Sequence, residues 1–291
     1  MSLTALFDVA APAKLNLFLH IIGKRADGYH LLQSVFVLID WCDTLHFERR
    51  TDSLLARHDL GSALPADDLC LRAARLLQTE SGTGLGADVS IAKSVPWGAG
   101  MGGGSSDAAS TLLALNRLWG LNWPRARLLA LGLRLGADVP FFIGGRNALV
   151  EGIGERLTPV TVPAQWLAVV KPPAAIETRA IFASPLLARR PEAAILESFA
   201  VNAQHGLLGP DFGANDLQAA AESECAQVVQ AASMLQQQFG NSRMTGSGSA
   251  VFARAGNGAE PSAAMPALAV GWVGRMCRSL DEHPLAGWAA D

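Results

Sequence analysis

The sequence predicts a fold of mixed strands and helices around one glycine-rich loop, and three observations indicate this. Residues 87–93 alternate between small or apolar and polar side chains, as a strand does. Five glycines then fall within seven residues, Gly98 to Gly104. A run of leucines and small residues follows, from Ala108 to Trp119, and predicts a helix.

A strand, a glycine loop and a helix in this order are typical of a phosphate-binding site. Glycines let the backbone approach an anion closely and take positive φ. The free N–H groups at the start of the helix, with the positive end of its dipole, attract the anion. Ser105 and Ser106 can cap the helix, or hold a phosphate or its metal ion. The alternative, a flexible linker, rarely separates a clear strand from a clear helix.

Two common phosphate loops do not fit the sequence. No lysine follows the glycines, so the Walker pattern is absent. Residues 98–103 match G-x-G-x-x-G, but a dinucleotide site also needs a second strand that ends in an acidic residue. Residues 121–124 lead into another helix instead. A nicotinamide-dependent dehydrogenase is therefore excluded.

Composition limits the class of protein. The chain has 291 residues, half of them hydrophobic, which is enough for one large or two moderate cores. A net charge of −3 and the absence of long basic runs argue against a nucleic-acid partner. No apolar stretch has the length of a membrane span, and no signal peptide is evident. The four cysteines are scattered, so we expect a reducing cytoplasm and no disulfide or metal role.

The first part of the chain predicts strands. Residues 7–22 alternate in hydrophobicity, and Lys14 and Asn16 share one face of that strand. Taken alone, these two side chains are expected to face solvent. Asp27 and Gly28 mark a hairpin turn, after which Tyr29 is either a half-buried aromatic residue or a functional one. Further strands are expected at 34–38 and 43–49.

The remainder mixes both element types. Helices are expected at 67–80, 124–135 and 215–239, and strands at 147–151, 155–160, 166–171 and 269–277. Asp138 lies among apolar residues, so its ionised form needs a partner; a helix cap and a catalytic role are equally good interpretations. Residues 243–252 form a second small-residue loop, for which a tight hairpin is the alternative. No role is assigned after His283.

Several motifs together resemble one family. Pro96 begins P-x-x-x-G-[LM]-G-x-G-S-S-D-A-A, residues 11–19 read A-P-A-K-L-N-L-F-L, and 136–141 read G-A-D-V-P-F. These segments and the loop at 243–252 are similar to the GHMP kinases, named for galactokinase, homoserine kinase, mevalonate kinase and phosphomevalonate kinase. Residues 25–30, R-x-D-G-Y-H, are more specific and resemble the branch whose acceptor carries cytidine diphosphate. The resemblance runs from about residue 10 to residue 277.

The resemblance implies an α+β fold with two domains. Residues 1–162 would form a ribosomal-protein-S5-like domain and residues 163–291 a ferredoxin-like domain, with the active cleft between them. The implied activity is ATP-dependent phosphorylation of the 2-hydroxyl of a cytidine-diphosphate-linked methylerythritol, in the non-mevalonate isoprenoid pathway. Nucleic acid and membrane are not expected partners, and a monomer or weak homodimer is expected.

The resemblance also implies roles for individual residues. Asp138 would be the base for the acceptor hydroxyl, and Lys14 would stabilise charge beside it. Mg²⁺ is expected with ATP, with ligands unassigned. The expected ATP contacts are Lys93, Pro96, Trp97, Gly98, Ala99, Gly100, Met101, Gly102, Gly103, Gly104, Ser105 and Ser106. The expected acceptor contacts are Asn16, Tyr29, His30, Thr178 and Phe182.

Some positions depart from the family pattern, and two alternatives stay open. Asp68, Trp97, Met101, Glu177 and Arg179 differ from the usual residues. Asp68 leaves the adenine contacts unassigned, and Glu177 and Arg179 bear on the acceptor contacts of Thr178 and Phe182. The chain could be another GHMP kinase for a sugar, homoserine or mevalonate, which the R-x-D-G-Y-H segment disfavours. It could also be a non-catalytic ATP-sensing module, against which the two implied catalytic residues argue.

Overall fold

A six-stranded sheet is formed by the first half of the chain. The structure is a computed structural model that describes residues 3–187 and 213–291. The strands of this sheet are β1 Ala5–Lys24, β2 His30–Arg50, β3 Leu55–Asp59, β4 Gly86–Ala92, β5 Ala148–Gly152 and β6 Arg156–Pro159. Their order is β3-β4-β2-β5-β6, and β1 runs antiparallel along β2.

A second, four-stranded antiparallel sheet follows. Its strands are β7 Trp166–Lys171, β8 Arg243–Met244, β9 Val251–Arg254 and β10 Val273–Arg278, in the order β10-β7-β9-β8. The helices are α1 Leu69–Ser81, α2 Gly103–Leu118, α3 Arg125–Leu135, α4 Val139–Gly144, α5 Thr178–Ala183, α6 Gln218–Glu224 and α7 Ala226–Phe239. The predicted α+β class is confirmed.

Three buried apolar clusters hold these layers together. One joins the first sheet to α1–α4 and includes Phe47 of β2 and Leu112 of α2. A second lies between the two sheets and includes Val37 and Val169. The third joins the second sheet to α6 and α7 and includes Val170. Adjacent residues of β7 thus face opposite layers, as the period of two in a strand requires. The domain limits at 162 and 163 stay a prediction.

Two strand predictions need correction. Residues 34–38 and 43–49 are parts of one strand, β2, because β1 pairs with it on both sides of residue 40. Strand β3 was not predicted at all. Its sequence, Leu-Ala-Arg-His-Asp, has little apolar character, and its regular structure comes from parallel pairing with β4.

The helices also differ from the pattern in places. Helix α2 begins at Gly103, inside the glycine run, rather than at Ala108. The predicted helix 215–239 is two helices, α6 and α7, which meet at Cys225 in an extended conformation. The short helix α4, which follows Asp138, was not predicted. Within residues 3–187 and 213–291, no helix combines the length and apolar character needed to cross a membrane.

The tail after residue 279 returns to the first sheet. The N–H of Leu280 donates to the carbonyl oxygen of Leu38 (2.8 Å). The guanidinium of Arg125 donates to the carbonyl oxygens of Ile143 (2.6 Å) and Ala289 (2.9 Å). The tail, to which the sequence assigned no role, therefore fastens α3 and the end of α4.

Candidate active site

The glycine loop has the backbone conformation that its composition predicts. Gly98, Gly100 and Gly102 have φ of 63°, 72° and 71°, in the left-handed region that side chains disfavour. Gly100 is also packed tightly, since a Cβ there would lie 2.3 Å from the carbonyl oxygen of Thr245. These positions need glycine for conformation and space.

Helix α2 starts directly from this loop. Its N-cap is Gly102, which offers no side-chain cap, and its first turn holds no acidic residue. The helix is 16 residues long. Its first N–H groups and its dipole therefore favour an anion at this end.

A cleft of about 400 Å³ lies over the loop. It is lined by the loop residues 95–105 together with an apolar wall that includes Leu64, Pro65 and Leu69. Trp97 stands at this cleft with 79% of its surface exposed. A cleft of this volume, with one polar floor and one apolar wall, suits a nucleotide.

Asp68 lines the same cleft but is already engaged. Its Oδ1 accepts a hydrogen bond from the N–H of Leu71 (3.0 Å), which caps α1. The same oxygen pairs with the guanidinium of Arg57 at 2.9 Å. Asp68 therefore has a structural role at the start of α1.

Lys93 is held by two carboxylates beneath the loop. Its Nζ contacts Asp43 Oδ2 and lies 2.5 Å from Asp107 Oδ2. Asp43 Oδ1 also accepts hydrogen bonds from the N–H groups of Ser94 (2.6 Å) and Val95 (2.8 Å). We call Asp43, Lys93 and Asp107 the acidic clamp. The sequence pointed to Lys93 but not to its two partners.

Burial and charge act against each other in the acidic clamp. Burial raises the pKa of Asp107 to about 7; Lys93 opposes the shift and Asp43 adds to it. Burial alone would lower the pKa of Lys93, but the two carboxylates outweigh it and raise that pKa. Lys93 therefore stays protonated within the acidic clamp.

Lys14 and Asp138 meet on the other side of the loop. Lys14 Nζ lies 3.8 Å from Asp138 Oδ2, and the Lys14 side chain is 4% exposed against 34% for Asp138. Asp138 is at the N-cap position of α4 but makes no side-chain cap hydrogen bond. The cap interpretation of Asp138 therefore does not account for its carboxylate.

Polar groups fix the position of the Lys14 ammonium. It donates to Asn16 Oδ1 (2.7 Å) and to the carbonyl oxygen of Gly100 (3.0 Å). Burial lowers the pKa of Lys14, and the charge of Asp138 partly opposes this. The interpretation of Lys14 and Asn16 as solvent-facing was wrong, since both are buried.

The glycine loop packs directly against this pair. A Cβ on Gly102 would lie 2.9 Å from the ring of Phe142 and 3.3 Å from Lys14 Cγ. The backbone N–H of Lys14 also donates to the carbonyl oxygen of Met101 (2.9 Å). The absence of a side chain at Gly102 thus brings the helix start, Lys14 and α4 together.

The second small-residue loop, 243–252, packs against the glycine loop. The N–H of Ala250 donates to the carbonyl oxygen of Ala99 (3.2 Å). The hydroxyl of Thr245 accepts from the N–H of Asn16 (3.0 Å) and lies 3.4 Å from the carbonyl oxygen of Gly100. The loop is a tight hairpin between β8 and β9, as the alternative interpretation expected, and it also contacts the glycine loop and Asn16.

The expected acceptor residues lie along a more open wall. His30 and Phe182 stack with ring centroids 5.3 Å apart. Tyr29 is 62% exposed at the turn beside them. The hydroxyl of Thr178 is 2.8 Å from that of Ser247, at an exposed position. Asn16 is the buried member of this group and also contacts Lys14.

Several of the expected residues are connected by direct contacts. Lys14 donates to Gly100 of the glycine loop and lies 3.8 Å from Asp138. Asn16 binds Lys14 and Thr245. Thr178 contacts Ser247 of the second loop, and Tyr29 adjoins His30. Sequence patterns missed three further residues that shape the site, namely Asp43, Asp107 and Thr245. One signal was available for the first two: Lys93 directly follows a largely buried strand, and a lysine there needs an acidic partner.

Comparisons with known proteins agree with this arrangement. Residues 68–146 match the family described as GHMP kinases N terminal domain. A 4-diphosphocytidyl-2-C-methyl-D-erythritol kinase of Methylibium petroleiphilum is 66% identical over 292 residues, covering 99% of this chain and 100% of that protein. A crystal structure of a 4-(cytidine 5'-diphospho)-2C-methyl-D-erythritol kinase superimposes with a TM-score of 0.72 at 34% identity, covering 84% of this chain and 89% of that one.

A more distant structure shares the fold alone. The homoserine kinase from Cytophaga hutchinsonii has a TM-score of 0.65 at 16% identity, covering 87% of this chain and 85% of that one. The fold and the glycine loop therefore define an ATP-dependent small-molecule kinase of the GHMP class. At 66% identity over nearly its whole length, the chain belongs to the 4-diphosphocytidyl-2-C-methyl-D-erythritol kinase family.

Proposed function

We propose that this kinase transfers the γ-phosphoryl group of ATP to the 2-hydroxyl of 4-diphosphocytidyl-2-C-methyl-D-erythritol, in the non-mevalonate route to isoprenoid precursors. The observation that carries the proposal is the Lys14–Asp138 pair, 3.8 Å apart beside the glycine loop. The name of the relative that is 66% identical supplies the acceptor.

Asp138 acts as the base in this proposal. A carboxylate is far less basic than an alkoxide, so it accepts the hydroxyl proton as the O–P bond forms and not before. Its side chain is partly exposed to the cleft, which leaves room for an acceptor. Lys14 offsets the charge on the attacking oxygen and the γ-phosphate.

The glycine loop holds the phosphates of ATP. Backbone N–H groups of 98–106 and the start of α2 supply the donors, and Trp97 and Pro96 border the base side of the cleft. Lys93 and Asp107 line the cleft, and Lys93 contributes by holding the loop through the two acidic neighbours that bind its ammonium as well as by bordering the nucleotide.

Mg²⁺ is expected to accompany ATP. Ser106 Oγ is buried and has no hydrogen-bond partner in the part of the chain that the structure describes. With the neighbouring hydroxyl of Ser105, it fits an ion that prefers oxygen ligands and takes few from protein. No group of three His, Cys, Asp or Glu residues among residues 3–187 and 213–291 forms a protein-only metal cage. When bound, Mg²⁺ supplies positive charge that offsets the charge of the β- and γ-phosphates.

We assign cytosine recognition to Tyr29 and His30. Tyr29 is proposed to stack on the base, and His30 is the candidate for its polar edge. Phe182 already stacks on His30 with ring centroids 5.3 Å apart, so a base would lie outside that pair and not between the two rings. Thr178 and Asn16 are proposed contacts to the rest of the acceptor.

Three broader proposals accompany this function. The two sheets, which lie on either side of residue 162, support domains at 1–162 and 163–291. The pathway intermediates are small charged molecules, so we place the enzyme in the cytoplasm. A monomer or weak homodimer suffices, because the proposed catalytic residues all come from one chain.

A coupled ADP-release assay tests the function. ATP and Mg²⁺ are combined with the cytidylyl acceptor, with the methylerythritol phosphate that lacks cytidine diphosphate, with mevalonate or with homoserine. We expect efficient turnover with the first acceptor alone, because a missing base leaves buried polar groups unpaired. Comparable kcat/KM with the acceptor that lacks the nucleotide would contradict the proposed cytosine contacts. Turnover with mevalonate or homoserine would contradict the proposed acceptor. If folded protein binds ATP but turns over none of these acceptors, the chain is a non-catalytic ATP-sensing module.

A further inference from the structure

The acidic clamp joins the two ends of the glycine loop. Lys93 directly follows β4, where the chain enters the loop, and Asp107 lies in α2, where the chain leaves it. Asp43 comes from β2, which lies beside β4 in the sheet. A single ammonium therefore connects the sheet, the loop entrance and the loop exit.

Asp43 fixes the loop entrance by backbone contacts as well. One carboxylate oxygen binds Lys93, and the other accepts from the N–H groups of Ser94 and Val95. Two residues earlier on the same strand, Trp41 Nε1 donates to the carbonyl oxygen of Ser94 (2.9 Å). The loop entrance is thus held at both its N–H and its carbonyl groups.

The acidic clamp also packs against the start of α2 at Gly103. A Cβ on Gly103 would lie 3.5 Å from both Asp43 Oδ2 and Lys93 Nζ, and 3.1 Å from Val95 Cγ1. The first residue of α2 therefore packs against these three side chains. A shift of the acidic clamp would move the groups that face the phosphates.

We propose that Asp43 and Asp107 are positioning residues that set nucleotide affinity by holding Lys93 and both ends of the glycine loop in the ATP-binding arrangement. Neither carboxylate touches the proposed position of the acceptor, so acceptor binding does not depend on them. This inference rests on the proposed role of the glycine loop as the ATP site.

The test compares Asp43→Asn, Asp107→Asn, Lys93→Met and the double variant Lys93→Met/Asp107→Asn. Binding of a non-hydrolysable ATP analogue with Mg²⁺ is measured by calorimetry, and KM is measured separately for ATP and for the acceptor. We expect Kd and KM for the nucleotide to rise about tenfold to a hundredfold, with KM for the acceptor unchanged. The double variant should be no weaker than the worse single variant, because both residues act through one contact.

Asp216→Asn is the matched control. Asp216 is also buried, and its Oδ2 accepts a hydrogen bond from the N–H of Ile21 on β1. Its loss should lower Tm without changing nucleotide Kd. Nucleotide Kd unchanged in Asp107→Asn and Lys93→Met, or KM values that rise equally for both substrates, would overturn the positioning role. If Asp43→Asn does not fold, the Lys93 and Asp107 variants decide.

A variant of the loop itself separates this inference from the proposed function. Gly100→Ala places a Cβ 2.3 Å from the carbonyl oxygen of Thr245 and should abolish analogue binding. If Gly100→Ala binds normally, the loop is not the nucleotide site and the proposed function fails with the inference. If Gly100→Ala loses binding while the variants of the acidic clamp keep it, the inference alone fails.

Discussion

The two walls of the active cleft are built in different ways. The nucleotide wall rests on the acidic clamp and on backbone hydrogen bonds from Lys14 and Ala250 to the glycine loop. The acceptor wall presents Tyr29 with 62% of its surface exposed and Thr178 at an exposed position. Under the proposed function, phosphate positioning is built into the fold, whereas acceptor recognition depends on side chains that the substrate itself must cover.

The largest expected effect comes from substitutions of Lys14 and Asp138. Asp138→Asn and Lys14→Ala should each lower kcat by about 10²- to 10⁴-fold, because they remove the proposed base and the charge beside it. Nucleotide Kd should change much less in Asp138→Asn, which leaves the glycine loop intact. Single-turnover kinetics and circular dichroism would check chemistry and folding. Near-normal turnover by either folded variant would remove that residue from the mechanism.

A smaller effect is expected on the acceptor wall. Tyr29→Ala should lower kcat/KM for the cytidylyl acceptor by about tenfold to a hundredfold, as expected for the loss of one base stack. KM for ATP should stay the same. Phe7→Ala is the control, since Phe7 is equally exposed at 61% but lies on β1 far along the sheet. Equal losses in the two variants would show that exposure, and not base stacking, explains the result.

The Lys14 ammonium gives a pH prediction. Burial lowers the pKa of Lys14, so its proton is lost at a lower pH than in an exposed lysine. Activity should fall as pH rises through that lowered pKa, at a lower pH than an exposed lysine would give. Deprotonation relieves the cost of a buried charge, so this group does not make the protein less stable over the same range.

Thermal unfolding measured beside the rate profile separates the two effects. A fall in Tm that parallels the fall in activity would assign the loss to unfolding instead of to Lys14.

The smallest effect is expected at Asp68, which lines the cleft over the glycine loop. Asp68→Asn keeps a side-chain oxygen for the cap of α1 but loses the ion pair with Arg57. We expect a loss of about 0.5–2 kcal/mol in the free energy of unfolding, measured with urea. KM for ATP should not change. A large change in KM with stability intact would assign Asp68 to adenine recognition.

The residue pattern alone predicted the glycine loop as a phosphate site. The roles proposed for Lys14 and Asp138 came from the family resemblance, because their local sequence fits a solvent-facing lysine and a helix cap equally well or better. Asp43 could not be predicted as a partner of Lys93, because 50 residues separate them and the contact depends on the neighbouring placement of β2 and β4. Strand β3 was missed for the same reason, since pairing and not hydrophobic alternation forms it.

The phosphoryl-transfer step itself is tested most directly by ³¹P NMR of the reaction mixture. ATP, Mg²⁺ and 4-diphosphocytidyl-2-C-methyl-D-erythritol are incubated with the wild type and with Asp138→Asn. A new phosphomonoester resonance, with the diphosphate resonances of the acceptor retained, is the predicted result for the wild type, and the variant should give almost none. Release of inorganic phosphate without a new ester, or loss of the acceptor diphosphate, would contradict transfer to the acceptor hydroxyl.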